Sequence, residues 1–165
     1  MKKINVVDLF AGCGGLTEGF LQTNKYKTLA AVDWEFPTVQ TLKKRLSTKW
    51  NYDLLLDNIL HFDIQRTEEL INGYEDIKYG KSKGLNKIIG NQTVDVIIGG
   101  PPCQAYSIAG RVRDENGMQN DYRNFLFESY VKMVNYYQPK IFVFENVEGI
   151  LSAKPGGVPI VKRIR

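Results

Sequence analysis

A cysteine that follows two glycines and two prolines is the side chain in this sequence best suited to covalent chemistry. The stretch VDVIIGGPPCQAYS places Cys103 just beyond an apolar run that ends at Gly99. Pro101 and Pro102 restrict the backbone and so give the thiol a fixed direction. A cysteine buried only for packing is expected within an apolar strand, whereas this one follows the strand. Position alone leaves a nucleophile and a structural cysteine equally open, and an acid that follows another apolar run favours the nucleophile.

A carboxylic acid holds the corresponding position after another apolar run. Glu145 follows the run Ile141–Phe144, and apolar surroundings favour the protonated form of a carboxyl group. If the two runs are neighbouring parallel strands, Cys103 and Glu145 face the same crevice. The pair would then combine a thiol nucleophile with an acid that carries a proton.

A glycine-rich turn near the N-terminus, DLFAGCGGL, joins a predicted strand to a predicted helix. Gly12 and Gly14 permit positive φ and allow a ligand to approach the backbone. The N–H groups at the start of the helix favour an anionic or polar ligand group. The turn indicates a nucleotide-like ligand, and the alternative is a turn that serves packing alone.

Two acidic residues come after predicted strands, where a nucleotide needs hydrogen-bond acceptors. Asp33 follows the glycine-rich turn by about 20 residues, the separation at which a carboxylate meets ribose hydroxyls, and Trp34 would stack on adenine. The alternative is a helix-capping acid beside a core tryptophan. Asp57, with Asn58 and Ile59, repeats the pattern after the third predicted strand. The ends of the first three predicted strands, which lead to the glycine-rich turn, to Asp33 and to Asp57, are expected to face one crevice.

Alternating strands and helices are needed to position these residues. Apolar segments predict strands buried on both faces, and amphipathic spacing predicts helices between them. The alternation predicts an α/β fold with an open, doubly wound, mostly parallel sheet. The predicted strands are Ile4–Phe10, Thr28–Val32, Asp53–Leu56, Val94–Ile98 and Ile141–Phe144, and the predicted helices are Leu16–Thr23, Val39–Leu46, Thr67–Tyr74 and Phe125–Tyr137.

Two segments depart from this alternation. Part of His61–Gln92, including KYGKSKGLNK, is predicted to be a surface loop, either a solvated insertion or a binding patch. After Ile150 the sequence LSAKPGGVPIVKRIR contains two prolines and two glycines. A sheet that stops after its fifth strand leaves an unpaired edge, so we expect a truncated fragment or one half of a split protein.

Composition narrows the class of protein. The chain has 165 residues, 43% of them hydrophobic, which is typical of one globular domain, and its apolar runs are too short to span a bilayer. Cys13 and Cys103 are expected to be free thiols in a reduced, cytoplasmic protein. The only histidine, His61, argues against a His-rich metal site, and no metal is predicted. A net charge of +4 is compatible with a polyanionic partner.

Six segments in order resemble the motifs of DNA (cytosine-5)-methyltransferases. They are DLFAGCGGL, VDW, DNI, GGPPCQAYS, YRNFLF and FENVEGIL, and only Tyr74–Gln92 is unmatched. The resemblance implies a Rossmann-like, S-adenosylmethionine-dependent enzyme that methylates C5 of cytosine in DNA. Cys103 would attack C6 of a flipped base, and Glu145, supported by Asn146 and Val147, would bind the base's N3/N4 edge.

The same resemblance implies further roles. The mobile active-site loop of the family corresponds to Gln104–Tyr122, whose Arg111 and Arg113 suit phosphate contacts, although an exposed polar loop is the alternative. Arg123 matches a family arginine that lies near the substrate. The residues implied for S-adenosylmethionine are Phe10, Gly12, Gly14, Asp33, Trp34, Asp57, Asn58, Ile59, Pro102 and Leu126.

The family's later motifs, including the target-recognition region, are not found in residues 1–165. We therefore expect the N-terminal part of a catalytic domain, with little or no activity alone. Its expected partners are DNA and a second chain or a missing C-terminal half. Two alternatives remain: the same chemistry on tRNA cytosine, and a non-catalytic cofactor- or DNA-binding subunit of a split enzyme. The presence of both Cys103 and Glu145 favours an enzyme over the non-catalytic subunit.

Overall fold

Five parallel strands form the central sheet of the computed structural model, which describes residues 2–102, 126–151 and 158–164. The strands are β1 (Ile4–Leu9), β2 (Tyr26–Asp33), β3 (Ile59–His61), β4 (Tyr74–Asp76), β5 (Gly80–Ser82), β6 (Val96–Gly99) and β7 (Ile141–Phe144). The central sheet has the order β3-β2-β1-β6-β7, and β4 and β5 form a separate antiparallel hairpin. The strand order reverses at β1, which is the point where such sheets open a ligand crevice. The predicted doubly wound α/β fold is confirmed.

Helices cover both faces of this sheet. They are α1 (Gly15–Gln22), α2 (Phe36–Trp50), α3 (Thr67–Asn72), α4 (Leu85–Ile89), α5 (Leu126–Tyr137) and α6 (Ile160–Ile164). Ala31 of β2 packs with α2, whereas Ala30 and Val32 pack with α3, α4 and α5 on the opposite face. This alternation is the period of two that a strand buried on both faces requires. Within the described ranges, no helix is long and apolar enough to cross a membrane.

The third predicted strand is wrong in position. Asp53–Asn58 forms a 3-10 helix, and β3 begins only at Ile59, which pairs with Ala31 of β2. The Asn58 side-chain amide donates to the Leu29 carbonyl at 3.0 Å and fixes this register. A short apolar run such as LLL fits a strand and a helical turn equally well, so sequence periodicity does not separate them. The carboxyl end of β3 therefore lies at His61, four residues after Asp57.

The predicted surface loop KYGKSKGLNK is also wrong in part. Gly80–Ser82 is the second strand of the β4–β5 hairpin, and α4 begins at Leu85. Leu85 and Ile89 are buried in the main core, because α4 packs beneath the sheet. The segment is thus a folded element with its own contribution to the core.

A buried carboxylate joins β1 to α1. Asp8 is fully buried, and its Oδ2 accepts hydrogen bonds from the backbone N–H of Thr17, at 3.1 Å, and from the Thr17 hydroxyl. Its Oδ1 has no hydrogen-bond partner in the described part of the chain. Removal from water raises the pKa of the Asp8 carboxyl to about 7, although the Thr17 hydrogen bonds act in the opposite direction.

The pKa of Asp8 predicts a pH dependence of stability. Between the carboxyl's ordinary pKa and about 7, the folded chain holds a proton that the unfolded chain has released. The unfolding free energy should therefore fall as pH rises from 5 to 7, by up to about 1.4 kcal/mol per pH unit. Urea unfolding of wild type and Asp8→Asn across this range measures the effect, and Asp8→Asn should remove the slope.

A matched control is Asp95→Asn. Hydrogen bonding to Lys140 lowers the pKa of Asp95, so this carboxylate is ionised in both states above pH 5 and its removal should leave the slope unchanged. Equal slopes in wild type and Asp8→Asn would show that Asp8 does not titrate in the folded chain near pH 7.

Candidate active site

The glycine-rich turn between β1 and α1 is held tightly against α2. Gly14 has φ +88°, and a Cβ there would lie 2.3 Å from Cδ1 of Leu42. Any side chain would therefore strain the backbone and push α2 away. The N–H of Gly14 donates to the Ala11 carbonyl at 2.8 Å, and the N–H of Ala11 donates to Val32 of β2 at 3.0 Å. The turn is thus fixed to the carboxyl end of the neighbouring strand.

Asp33 at the end of β2 organises the same region. Its Oδ2 accepts a hydrogen bond from the N–H of Gly12 at 2.8 Å. Its Oδ1 accepts from the N–H of Glu35 at 2.9 Å and lies 3.0 Å from the hydroxyl of Thr38. A carboxylate offers about four acceptor positions, so one remains on Oδ2. Asp33 can therefore hold the turn and also accept a hydrogen bond from a ligand.

A cavity opens where the ends of β1, β2, β3 and β6 meet. Its walls include the predicted cofactor residues Phe10, Asp33, Trp34, Pro102 and Leu126. Trp34 is 37% exposed, and its carbonyl accepts a hydrogen bond from Nε2 of His61 at 2.9 Å. Two aromatic rings, a proline and a leucine beside a carboxylate fit a ligand that has a flat ring and hydroxyl groups. Gly12 and Gly14 do not line the cavity, and Gly12 is linked to it through its hydrogen bond to Asp33.

Besides Val32 of β2, the cavity wall contains three residues that were not predicted as site residues, namely Phe62, Asp63 and Ile64. They follow β3 directly, whereas Asp57, Asn58 and Ile59 precede or begin that strand. An acidic residue after an apolar run is the signal that pointed to Asp57 in DNI. Asp63 in FDI, which follows ILH, carries the same signal.

The structure places Asp57, Asn58 and Ile59 outside the cavity. Ile59 is buried among α2 residues, and the Asn58 amide is engaged with Leu29. Asp57 and Ile59 instead line a separate groove beside the β4–β5 hairpin. The difference has the same origin as the misplaced third strand, because a strand end assigned too early selects a carboxylate that precedes β3 rather than one that follows it.

The ends of β6 and β7 approach each other without intervening side chains. A Cβ on Gly99 would lie 2.2 Å from the carbonyl oxygen of Leu9, and one on Gly100 would lie 2.6 Å from Oε2 of Glu145. The N–H of Glu145 donates to the Gly99 carbonyl at 2.9 Å. Gly99 in IIGGPP is therefore required by close packing against the β1 backbone, and the Glu145 carboxylate lies directly against the backbone of Gly100.

Asn146 fastens the two segments that follow these strands. Its side-chain amide donates to the carbonyl of Pro101 at 2.9 Å, and its Oδ1 accepts from the N–H of Val147 at 3.0 Å. Tyr130 of α5 is buried, and its hydroxyl lies 3.1 Å from the Ile97 carbonyl of β6 and 3.0 Å from the Val143 carbonyl of β7. The prolines before Cys103 and the carboxylate of Glu145 are thus held together at one place.

The expectation that apolar surroundings bury Glu145 is not met within the described residues, because its side chain is exposed. β7 is the edge strand of the sheet as described, and Ile141 and Phe142 are 60% and 44% exposed. An edge position leaves one side of the strand without neighbours. The sequence pattern IFVF indicates a strand with apolar side chains but does not show what covers them.

Several predicted site residues lie outside the described residues. These are Cys103, Arg123 and the segment Gln104–Tyr122, with Arg111 and Arg113. Among the residues that are described, Cys13 is a free, exposed cysteine, and no group of His, Cys, Asp and Glu could hold a metal ion.

Comparison with known proteins identifies the family. The family model of C-5 cytosine-specific DNA methylases matches residues 4–163. Type II methyltransferase M.Bpa9945I of Bacillus paralicheniformis is 38% identical over 93% of this chain and 42% of its own length. Type II methyltransferase M.DdeI of Desulfomicrobium norvegicum is 35% identical over 98% of this chain and 32% of its own length.

The fold also resembles that of a solved structure. Spodoptera frugiperda DNMT2, crystallised as a mutant, superimposes with a TM-score of 0.57 at 19% identity, covering 98% of this chain and 39% of that one. The chain thus spans less than half the length of these relatives. From the family match and the identity to two type II methyltransferases, we conclude that the chain belongs to the C-5 cytosine-specific DNA methylase family.

Proposed function

We propose that this chain supplies the cofactor site and the catalytic cysteine and glutamate of a DNA cytosine-5 methyltransferase. The observation that carries the proposal is the junction of β6 and β7. Gly100 abuts the Glu145 carboxylate, Asn146 binds Pro101, and Pro102 lines the cavity that contains Asp33. Cys103 is the next residue along the chain from Pro102, and this adjacency supports the proposal that the nucleophile lies beside both the acid and the cofactor cavity.

S-adenosylmethionine fits the residues that line the cavity and, when bound, supplies an electrophilic methyl group. The remaining acceptor position on Asp33 would take a ribose hydroxyl. Trp34, Phe10 and Pro102 provide apolar surface for adenine, and Leu126 closes the cavity. In place of Asp57, we propose Asp63 as the carboxylate that accepts from the adenine amine, with Ile64 beside it.

The catalytic role of the chain's own residues is to make C5 of cytosine, a weak nucleophile, reactive. The Cys103 thiolate adds to C6 of cytosine and forms a carbon–sulfur bond, while the C5=C6 π electrons shift to form a C4=C5 double bond and the C4=N3 π electrons take a proton from Glu145 at N3. C5 thereby becomes enamine-like and able to accept a methyl group. Loss of the C5 proton then restores the double bond and releases the thiolate. Because Glu145 is exposed in the free chain, we propose that the bound base itself covers the acid.

We propose that a further polypeptide segment, in the same protein or in a second chain, completes the sheet at β7. Support comes from the exposed apolar side chains of Ile141 and Phe142 on that edge, and from relatives more than twice as long as this chain. That segment would also carry the recognition of the DNA target. DNA as substrate is the proposal because the curated relatives described above are type II methyltransferases and the matching family model is that of DNA methylases.

Covalent trapping tests the catalytic assignment. With S-adenosylmethionine and a single-stranded DNA oligonucleotide containing 5-fluorocytosine, the chain should form an adduct stable to denaturing electrophoresis. Fluorine at C5 cannot leave as a proton, so the thioether persists, and a single strand avoids the cost of flipping the base. Cys103→Ala should abolish the adduct, and Cys13→Ala should retain it.

The two cysteine variants form a matched pair because the chain contains only two cysteines. An adduct that survives Cys103→Ala would contradict the assignment. An adduct formed on tRNA but not on DNA would favour the RNA alternative, and no adduct on either would favour a non-catalytic subunit.

The revised cofactor residue has its own test. Asp63→Asn should weaken S-adenosylmethionine binding about tenfold or more in calorimetric titration, since a hydrogen bond to a charged group contributes about 1.5–3 kcal/mol. Asp57→Asn should change the affinity less than twofold, because Asp57 lies outside the cavity. The reverse order of effects would restore Asp57 as the cofactor residue.

Turnover by the chain alone should be poor. A radiolabelled methyl-transfer assay on duplex DNA should show little product, because target recognition and the cover over β7 are proposed to lie in another segment. Repeated turnover by these 165 residues would show that no further segment is needed.

A further inference from the structure

A basic groove lies between α2, β3 and the β4–β5 hairpin, outside the cofactor cavity. It has a volume of about 660 Å³, and we call it the hairpin groove. We propose that the hairpin groove binds phosphates of the DNA backbone, as a second contact besides the active site. The inference rests on the proposed function, because the DNA is taken to be the substrate of the same chain. The charged residues of its lining are Lys43, Lys78, Lys81, Lys83 and Asp57.

The charge in the groove is only partly neutralised. Lys81 pairs with Glu75 at 2.8 Å, and Nζ of Lys78 lies 4.8 Å from the ring centre of Tyr79. Lys43 and Lys83 have no ion-pair partner among the described residues. Two ammonium groups with free donors, set on opposite walls of one groove, suit a ligand with repeated negative charge.

Aromatic and apolar side chains accompany these lysines. Phe36 is 55% exposed and contacts His61 edge-to-face at 5.3 Å, and His61 contacts Tyr79 at 4.9 Å. Ile77 at the hairpin tip is fully exposed. Phosphate-binding cations interleaved with aromatic rings are typical of surfaces that contact nucleic acid backbones and sugars.

The hairpin is anchored, so the groove is a formed feature of the fold. Arg66 donates to Asp76 at 2.7 Å, forms an ion pair with Glu69 and lies 4.9 Å over the ring of Phe62. Phe62 in turn stacks on Tyr74 of β4 at 3.8 Å. These contacts tie the hairpin to the end of β3 and to α3. Such anchoring holds Lys78, Lys81 and Lys83 in a defined position opposite Lys43 on α2.

The position of the groove suits a duplex engaged at the active site. His61, at the carboxyl end of β3, lines the groove, and β6 leads to Cys103 at the same edge of the sheet. Three strand spacings separate β3 from β6, a distance of about 14 Å. One turn of DNA spans about 34 Å, so a duplex whose target base is bound near Cys103 extends past the groove.

Salt-dependent DNA binding tests the assignment with matched pairs of variants. Fluorescence anisotropy with a labelled duplex would compare Lys43→Gln/Lys83→Gln with Lys44→Gln/Lys87→Gln. The control residues are neighbours on α2 and α4 that do not line the groove, and each pair removes the same net charge. The groove pair should weaken binding about tenfold or more near 100 mM salt. It should also make the slope of log affinity against log salt shallower by about two, because each lost phosphate contact contributes about 0.9.

The control pair should change that slope by less than half as much. Equal changes in the two pairs, or no change in the groove pair, would overturn the proposal. Poly-glutamate that binds as tightly as DNA and shows the same loss in the groove pair would assign the groove to acidic peptides and would also overturn it.

The trapping assay separates this proposal from the proposed function. At saturating 5-fluorocytosine oligonucleotide the groove pair should still form the Cys103 adduct. If the wild-type chain forms no adduct, the proposed function fails. The difference in salt slope between the two pairs of variants tests phosphate binding by the hairpin groove independently of that result.

Discussion

The Asp33 carboxylate is the interaction on which the candidate site depends. It receives the N–H of Gly12 from the turn after β1 and the N–H of Glu35 from the start of α2. Without an acceptor at this place the glycine-rich turn would lose its tie to β2, and the backbone N–H groups of Gly12 and Glu35 would lose their partner. The cavity exists because one carboxylate binds two strand ends and a helix start at once. That role leaves it a single acceptor position for a ligand, which is enough for one hydroxyl.

A second constraint acts at the other side of the crevice. Gly99 lets the end of β6 approach the Leu9 carbonyl at a distance that no side chain permits, and the Glu145 carboxylate lies against Gly100. Asn146 then links the loop after β7 to Pro101, which directly precedes the cavity residue Pro102. The restricted backbone of Pro101 and Pro102 thus sets the direction in which the chain leaves β6. Exposed Glu145 and the β7 edge are the places where the proposed base and the proposed further polypeptide would lie.

Much of the fold and part of the site follow from sequence patterns. Strands such as β1 and β7 are near-continuous apolar runs, and this pattern predicts their type and, to within one residue, their carboxyl ends. Asp33 and Trp34 were predicted in the site because they follow a predicted strand, Pro102 was predicted there from the family resemblance, and all three line the cavity. The pattern failed at β3, which has only three residues and follows a longer apolar stretch that forms a 3-10 helix. Pairing with β2, a tertiary interaction, decides where that strand begins.

Burial and anchoring were the least predictable features. Nothing local in IFVF shows that β7 has one neighbour in the described sheet, and nothing in KYGKSKGLNK shows that Arg66 and Phe62 fasten a hairpin. Asp8 likewise resembles any acid near a strand end until its burial against Thr17 is seen. Each case depends on residues far apart in the chain, and sequence spacing carries no such information.

The most direct test of the account is a crystal structure of the chain with S-adenosylhomocysteine, a non-reactive form of the cofactor. The account predicts an adenine ring against Trp34 and Pro102, a ribose hydroxyl on Asp33, and the Cys103 sulfur facing the Glu145 carboxylate across the same cavity. A Cys103 sulfur in the hydrophobic interior, or on the face of the sheet opposite Glu145, would contradict it.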